Sequence, residues 1–361
     1  MPLSSVELTR HYLSRIERMN TSGPALRAVL ETNPDALRTA EELDRERSRH
    51  RVRHPLLHGI PVLLKDVVET RDRMHTTAGS SALLGARPRQ DATVAARMRR
   101  AGAVLLGKAN MTEWAGGEVT HTNGWSARGG QCRNPYQLGR SPSGSSSGPA
   151  VGVTANLCAV ALGVETNGSF LSPAAVCGVV GMKPTVGLTS RAGIIPASVS
   201  QDSVGPLCRT VADAAAVLGV ISGPDSRDPA TRAAGGHAHP EYARFLDRDA
   251  LRGARIGVPR QVFFGYSEHA DAVAEAALDA LRAAGAVVVY PADIPTVEEM
   301  ACSEAPGIVA LYESKHSFDT YLQNTPGTHP RSLSELVEFN RQHACQRPCR
   351  SPRSHTLALF T

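Results

Sequence analysis

Val6, Leu8, Tyr12, Leu13 and Ile16 fall on roughly one face of a 3.6-residue period, with polar residues between them. The pattern predicts a helix over about 5–19, opened by Ser4-x-x-Glu7 as a capping box. A second helical stretch follows over about 34–49. The period then changes. HGIPVLLKD (58–66) carries a short apolar run that predicts a buried strand ending at Lys65. ATVAARMRRAG, with Asp91 placed to cap it, predicts a helix leading into a strand at AVLLG. Gly148 to Asn156 suits a small-residue helix, LCAVALG (157–163) a buried strand, CRTVADAAAVLGVI (208–221) a helix before the SGPDSRDP turn cluster, and ARIGVP (254–259) a strand. LRAAGAVVVY (281–290) repeats the helix–Gly–strand step, and LSELVEFNRQHA reads as a helix. Strands alternating with helices predict an α/β protein with a mixed, largely parallel central sheet flanked by helices.

Composition narrows the function classes. The 361 residues are 42% hydrophobic and 20% charged, which suits a soluble chain of one large domain or two ordinary ones. The net charge of +5 comes from arginine, since the only lysines are Lys65, Lys108, Lys183 and Lys315. The densest charge run, EELDRERSRHRVR (41–53), mixes signs and reads as a solvated helix face followed by a loop. No aromatic residues interleave with its arginines, so a nucleic-acid groove is not expected. No run approaches 18 apolar residues, and MPLSSVELTR has no apolar signal core, so no membrane association is expected. Seven scattered cysteines without a CxxC pair argue against zinc and for reduced thiols in the cytoplasm. Cys158 and Cys177 lie in apolar runs and read as inert core residues.

The chemistry concentrates in SPSGSSSGPAVGVTANLCAVALGVETNGSF (141–170), where serine clusters flank an apolar segment. A flexible Ser/Gly linker would explain the first cluster but not the buried run that follows. Gly144-Ser145-Ser146-Ser147-Gly148 also matches G-x-S-x-G, with Ser146 as nucleophile. That scheme needs a preceding buried strand, and RNPYQLGRSPS does not supply one.

A third reading uses both clusters. HGIPVLLKD, SPSGSSSGPAVGV, ALGVETNGS, PAAVCGVVGMKPTVGLTSRAGIIP and SQDSVGPLCRTVADA, in that order over about 4–344, resemble the amidase signature family. Its members hydrolyse carboxamides with a Ser–cis-Ser–Lys triad. ETNGS and GWSARGGQ (124–131) are most similar to its peptide-amidase-like branch. The resemblance implies Ser169 as nucleophile, Ser145 as bridging serine after a cis peptide, and Lys65 as base. The interval of 24 residues between Ser145 and Ser169 selects Ser145 over Ser146, which becomes a neighbour in the hydrogen-bond network. It also implies an oxyanion site at the turn Thr166-Asn167-Gly168-Ser169 and a supporting carboxylate at Asp202. No metal or organic cofactor is implied.

Histidine is dispensable in this scheme only if Lys65 is neutral. At an ordinary lysine pKa of about 10.4, roughly one in a few thousand is neutral at pH 7. The Ile-Pro-Val-Leu-Leu run before Lys65 can bury the amine and lower that value. Asp66 would oppose the shift and is expected to point elsewhere. Lys108 also follows a buried strand and is expected to be structural or to support the site from behind its first contacts, with Lys183 in a turn. Trp114 and Trp125 read equally as core residues or as lining of a substrate entrance. Leu171 stands where many family members carry arginine, so a clamp for acidic substrates is not expected there.

The family reading implies one amidase-signature domain over 1–344, incomplete at both ends, followed by an atypical tail over 345–361 that is disordered or out of frame. The implied partner is a small-molecule or peptide amide. Two alternatives remain open. One is a glutamine-hydrolysing amidotransferase A-like subunit that needs a partner subunit. The other is a truncated, non-catalytic relic.

Overall fold

A computed structural model of the chain describes residues 3–49, 54–116 and 123–343, and the tail predicted for 345–361 lies outside them. Two compact units are present. One runs to Tyr242 and resumes at Ala310; the other is Ala243–Val309.

The first unit opens with α1 (Ser5–Met19), whose capping box is formed reciprocally by Ser4 and Glu7. Strand β1 (Val29–Thr32) and helix α2 (Ala36–Arg49) precede β2 (Pro61–Lys65). Helix α3 (Thr93–Arg100) starts without a side-chain cap. The predicted cap, Asp91, instead accepts from the Arg71 amide at 2.7 Å and from Arg99 Nε at 2.9 Å. A guanidinium is a stronger claim on a carboxylate than one helix amide. Then come β3 (Val104–Ala109), the two-residue pair β4 (Trp125–Ser126) and β5 (Gly130–Gln131), α4 (Ser147–Thr154), β6 (Val160–Glu165), α5 (Leu171–Val176), β7 (Val180–Gly181), β8 (Ser203–Cys208) and α6 (Val211–Ile221).

Six of these strands form one sheet in the order β1-β3-β2-β6-β8-β7. The central trio β3-β2-β6 is parallel, and β1, β8 and β7 join antiparallel. The sheet is thus mixed, with helices on its faces. β2 and β6 are buried along their whole length, as near-continuous apolar runs in a covered sheet should be. Side chains alternate across it. Val62 and Leu64 pack into one core with Met98, Leu105 and Leu162. Leu63 packs into the other with Val151, Ala161 and Leu207. By the same two-residue period Lys65 leaves the sheet on the face of Leu63, which α4 covers. β8 had no counterpart in the sequence pattern.

The second unit holds β9 (Arg255–Gly257), α7 (Glu268–Ala283), β10 (Val287–Val289), α8 (Val297–Cys302) and the start of α9 (Ala305–Asn324). β9 and β10 pair in parallel, with α7 as the connection. The first unit resumes within α9 and ends on α10 (Leu333–Gln342). Among the described residues no helix is long and apolar enough to cross a membrane.

Candidate active site

β2 delivers Lys65 to the protein interior, where it is 1% exposed. Its Nζ donates to Ser145 Oγ at 2.7 Å and to the Val164 carbonyl at 2.8 Å. Burial drives its pKa down to about 7, against the opposing charges of Asp202 and Glu165. Near neutral pH about half of such amines would be uncharged. Asp66 does point away. Its Oδ2 accepts from the Thr77 hydroxyl and from the Gly79 amide at 3.0 Å, and lies 3.6 Å from Arg128 Nη1.

Ser145 sits in the approach to α4, fully buried, and the Gly144–Ser145 peptide is cis. Glycine at 144 avoids a clash, because a Cβ there would lie 2.2 Å from Thr112 Oγ1 unless that side chain moved. The main chain ties this segment to the second serine cluster, since the Ser146 amide donates to the Ser169 carbonyl at 2.8 Å. Ser169 is 8% exposed, and its hydroxyl makes no hydrogen bond among the described residues. Ser146 is buried, and its hydroxyl donates to the Val164 carbonyl of β6 at 3.2 Å. It faces the sheet and has no histidine partner among the described residues.

The turn between β6 and α5 carries Thr166, Asn167, Gly168 and Ser169. The Thr166 hydroxyl donates to Asp202 Oδ1 at 2.5 Å. The amides of Asn167, Gly168 and Ser169 make no hydrogen bond among the described residues. Such adjacent unpaired N–H groups suit a developing oxyanion. Gly168 has φ +76°, a left-handed conformation that favours glycine, and the space where a Cβ would stand is empty to 4 Å. Asp202 is almost fully buried, and burial raises its pKa. Its Oδ2 accepts from the Ala197 and Ser198 amides at 2.8 and 2.9 Å. A cavity of about 320 Å³ lined by Arg191, Ile194, Pro196, Val199 and Asp228 opens beside it.

The other candidates fall outside this group. Lys108 pairs with Leu64 across β2 and β3, so it projects from the opposite face to Lys65. Its Nζ donates to the Val68 carbonyl and to Thr76 Oγ1, at 2.5 and 2.7 Å. Trp114 is a core residue, edge-to-face with Phe318 at 5.6 Å. Cys158 and Cys177 are buried, and burial pushes both thiols up to about 12. Glu46, His54 and His58 bring ligand atoms within 4.8 Å of one another. Arg47 Nη2 lies 3.1 Å from His58 Nδ1, which sets a fixed positive charge against any cation there.

Two residues at the site escaped the sequence reading. Glu165, 2% exposed, accepts the Phe170 and Leu171 amides on Oε2 at 2.8 and 2.9 Å. Lys183, expected merely in a turn, donates to the Thr166 carbonyl at 2.5 Å. The only signal for Glu165 was its place in ETNGS, five residues before an amide it binds.

A family model described as Amidase matches residues 7–357. The native peptide amidase of Stenotrophomonas maltophilia is similar at 50% identity with a TM-score of 0.87, covering 96% of this chain and 70% of that one. A protein named "Probable amidase" from Arabidopsis thaliana is 46% identical over 350 residues, 95% of this chain and 66% of the relative. The A subunit of a glutamyl-tRNA(Gln) amidotransferase from Chloroflexus aurantiacus is 40% identical over 319 residues, 86% of this chain and 63% of that protein. The chain therefore spans less than two thirds of the length of several curated relatives it matches. With the family model spanning nearly the whole sequence and 50% identity to a solved peptide amidase, the chain belongs to the amidase signature family.

Proposed function

We propose that the protein hydrolyses a carboxamide through an acyl-Ser169 intermediate. The observation that carries this reading is the buried 2.7 Å contact between Lys65 Nζ and Ser145 Oγ, with a lysine whose pKa lies at about 7. Neutral Lys65 takes the Ser145 proton as Ser145 takes the Ser169 proton, and Ser169 Oγ bonds to the amide carbon. The amides of Asn167, Gly168 and Ser169 receive the oxyanion. On collapse the C–N bond breaks and the leaving nitrogen takes the proton back through Ser145. Water then attacks the ester under the same base, releasing acid and free Ser169. Asp202 holds the turn through Thr166, and Ser146 braces the loop against β6. The similarity to a peptide amidase makes a C-terminal peptide amide the first substrate to test.

The decisive experiment is intact-mass analysis after a fluorophosphonate probe. The parent chain should gain one adduct, and Ser169→Ala and Lys65→Ala should gain none. Adduct formation on Ser169→Ala that disappears in Ser146→Ala would restore Ser146 as the nucleophile. The 40% identity to the A subunit of an amidotransferase supports a second reading, in which a partner protein receives ammonia released from glutamine. Glutamine hydrolysis that depends on a co-purifying partner would favour it. A chain that folds but gains no adduct would be a non-catalytic relic.

A further inference from the structure

We propose that Glu165 and Lys183 form a two-sided buckle that holds the 166–170 turn in its working shape, which makes both of them positioning residues. The inference rests on the reading of Ser169 as nucleophile. Glu165 is the last residue of β6 and is held in register opposite Ser203 of β8. From there its Oε2 reaches over the turn and accepts the Phe170 and Leu171 amides together. Phe170 has no side-chain acceptor of its own to offer the start of α5. Lys183 follows β7, which pairs with the same strand β8. Its Nζ binds the Thr166 carbonyl at 2.5 Å and lies 3.6 Å from Glu165 Oε1. Both arms of the buckle are therefore anchored on β8, and the Thr166 hydroxyl adds a third tie to Asp202 just before that strand.

The pattern of satisfied and unsatisfied groups gives the buckle its meaning. At the ends of the turn, the Thr166 carbonyl and the Phe170 and Leu171 amides are bound. In the middle, the amides of Asn167, Gly168 and Ser169 make no hydrogen bond among the described residues. Backbone groups near a protein interior are normally paired. Asn167 is exposed and Gly168 half-buried, so these donors are open to solvent or a substrate, and the clamped ends keep the turn from folding back to bind them itself. A turn so held needs little rearrangement when an oxyanion arrives.

A purely structural role for Glu165 would change yield and melting temperature. A positioning role also changes kinetics and their pH dependence. The test compares the parent with Glu165→Gln, Lys183→Met and the double variant, by fluorophosphonate labelling rate and by steady-state kinetics on a C-terminal peptide amide. Glu165→Gln should lower kcat on the order of 10²-fold with KM nearly unchanged. Its acid limb should move to lower pH, because Glu165 is one of two carboxylates that favour the charged form of Lys65. Lys183→Met should also slow labelling, and the double variant should be no slower than the worse single variant, as for two halves of one device. Labelling of Glu165→Gln at the parent rate, or a loss with an unmoved limb and additive double variant, would overturn the proposal. If Glu165→Gln does not fold, parent-like labelling of Lys183→Met, whose side chain is 29% exposed, would overturn it alone. Ser169→Ala separates the two readings. Adduct formation on it refutes the nucleophile assignment, whereas its silence beside a normal Glu165→Gln refutes only the buckle.

Discussion

Keeping Lys65 uncharged in the interior carries a stability cost that Lys65→Met should expose. The unfolded lysine titrates near 10.5 and the folded one at about 7. Between those values the unfolded chain binds more protons, so stability rises with pH across that window. Below pH 7 the penalty is complete, at about 1.4 kcal/mol per unit of pKa, or about 5 kcal/mol in all. At pH 9 the folded amine is already neutral, and the remaining penalty is about 2 kcal/mol. Methionine fills a similar volume without the charge. It forfeits the hydrogen bond to the Val164 carbonyl, at about 1 kcal/mol, and leaves the buried Ser145 hydroxyl without its partner, at about 2 kcal/mol. That carbonyl is not orphaned, because the Ser146 hydroxyl still donates to it. Lys65→Met should therefore be inactive, and more stable than the parent at pH 6 by about 2 kcal/mol. The stability difference should fall by about 3 kcal/mol between pH 6 and pH 9, a change in which the pH-independent hydrogen-bond terms cancel. Urea titrations of both proteins at the two pH values measure it. Equal stability differences at pH 6 and pH 9 would refute a depressed Lys65 pKa, and with it the base assignment.

If Lys65 is the base, the parent's kcat/KM should follow its neutral fraction, with an acid limb centred near pH 7 and a fall of roughly tenfold per unit well below it. A limb centred below pH 5 would point to a carboxylate instead. Gly144→Ala sets a methyl 2.2 Å from Thr112 Oγ1 and should destabilise by about 1–3 kcal/mol in denaturant unfolding while slowing labelling. Gly168→Ala meets no neighbour but must hold φ +76°, at about 1–2 kcal/mol, and should impair turnover more than stability because the methyl enters the approach to Ser169.

Much of this was legible along the chain. The capping box of α1, the strand ending at Lys65 and the helix–Gly–strand step at 281–290 follow from local chemistry and period, which act over a few residues. The two serine clusters were visible as well, and the structure joins them through the Ser146 amide and the Ser169 carbonyl. β8 was not legible. SVGPLC places glycine and proline inside a strand, and that pair locally reads as a turn. Only its place beside β6 makes it a strand.

The amino-acid order by itself determined which groups were available: four lysines, two serine clusters and the glycine of the Thr166–Ser169 turn. Which lysine meets which serine was decided by strand register. Leu64 lies opposite Lys108 and Ala109 opposite Lys65, so the two buried amines leave opposite faces of one sheet, and only one reaches α4. The roles of Glu165 and Lys183 likewise emerge only in three dimensions. The hydrogen bonds that Glu165 accepts from the end of its own turn, and the one that a lysine 17 residues beyond Thr166 donates to it, depend on two strands sharing β8 as neighbour. No local propensity encodes that adjacency, because it arises only when distant segments bury their apolar faces together.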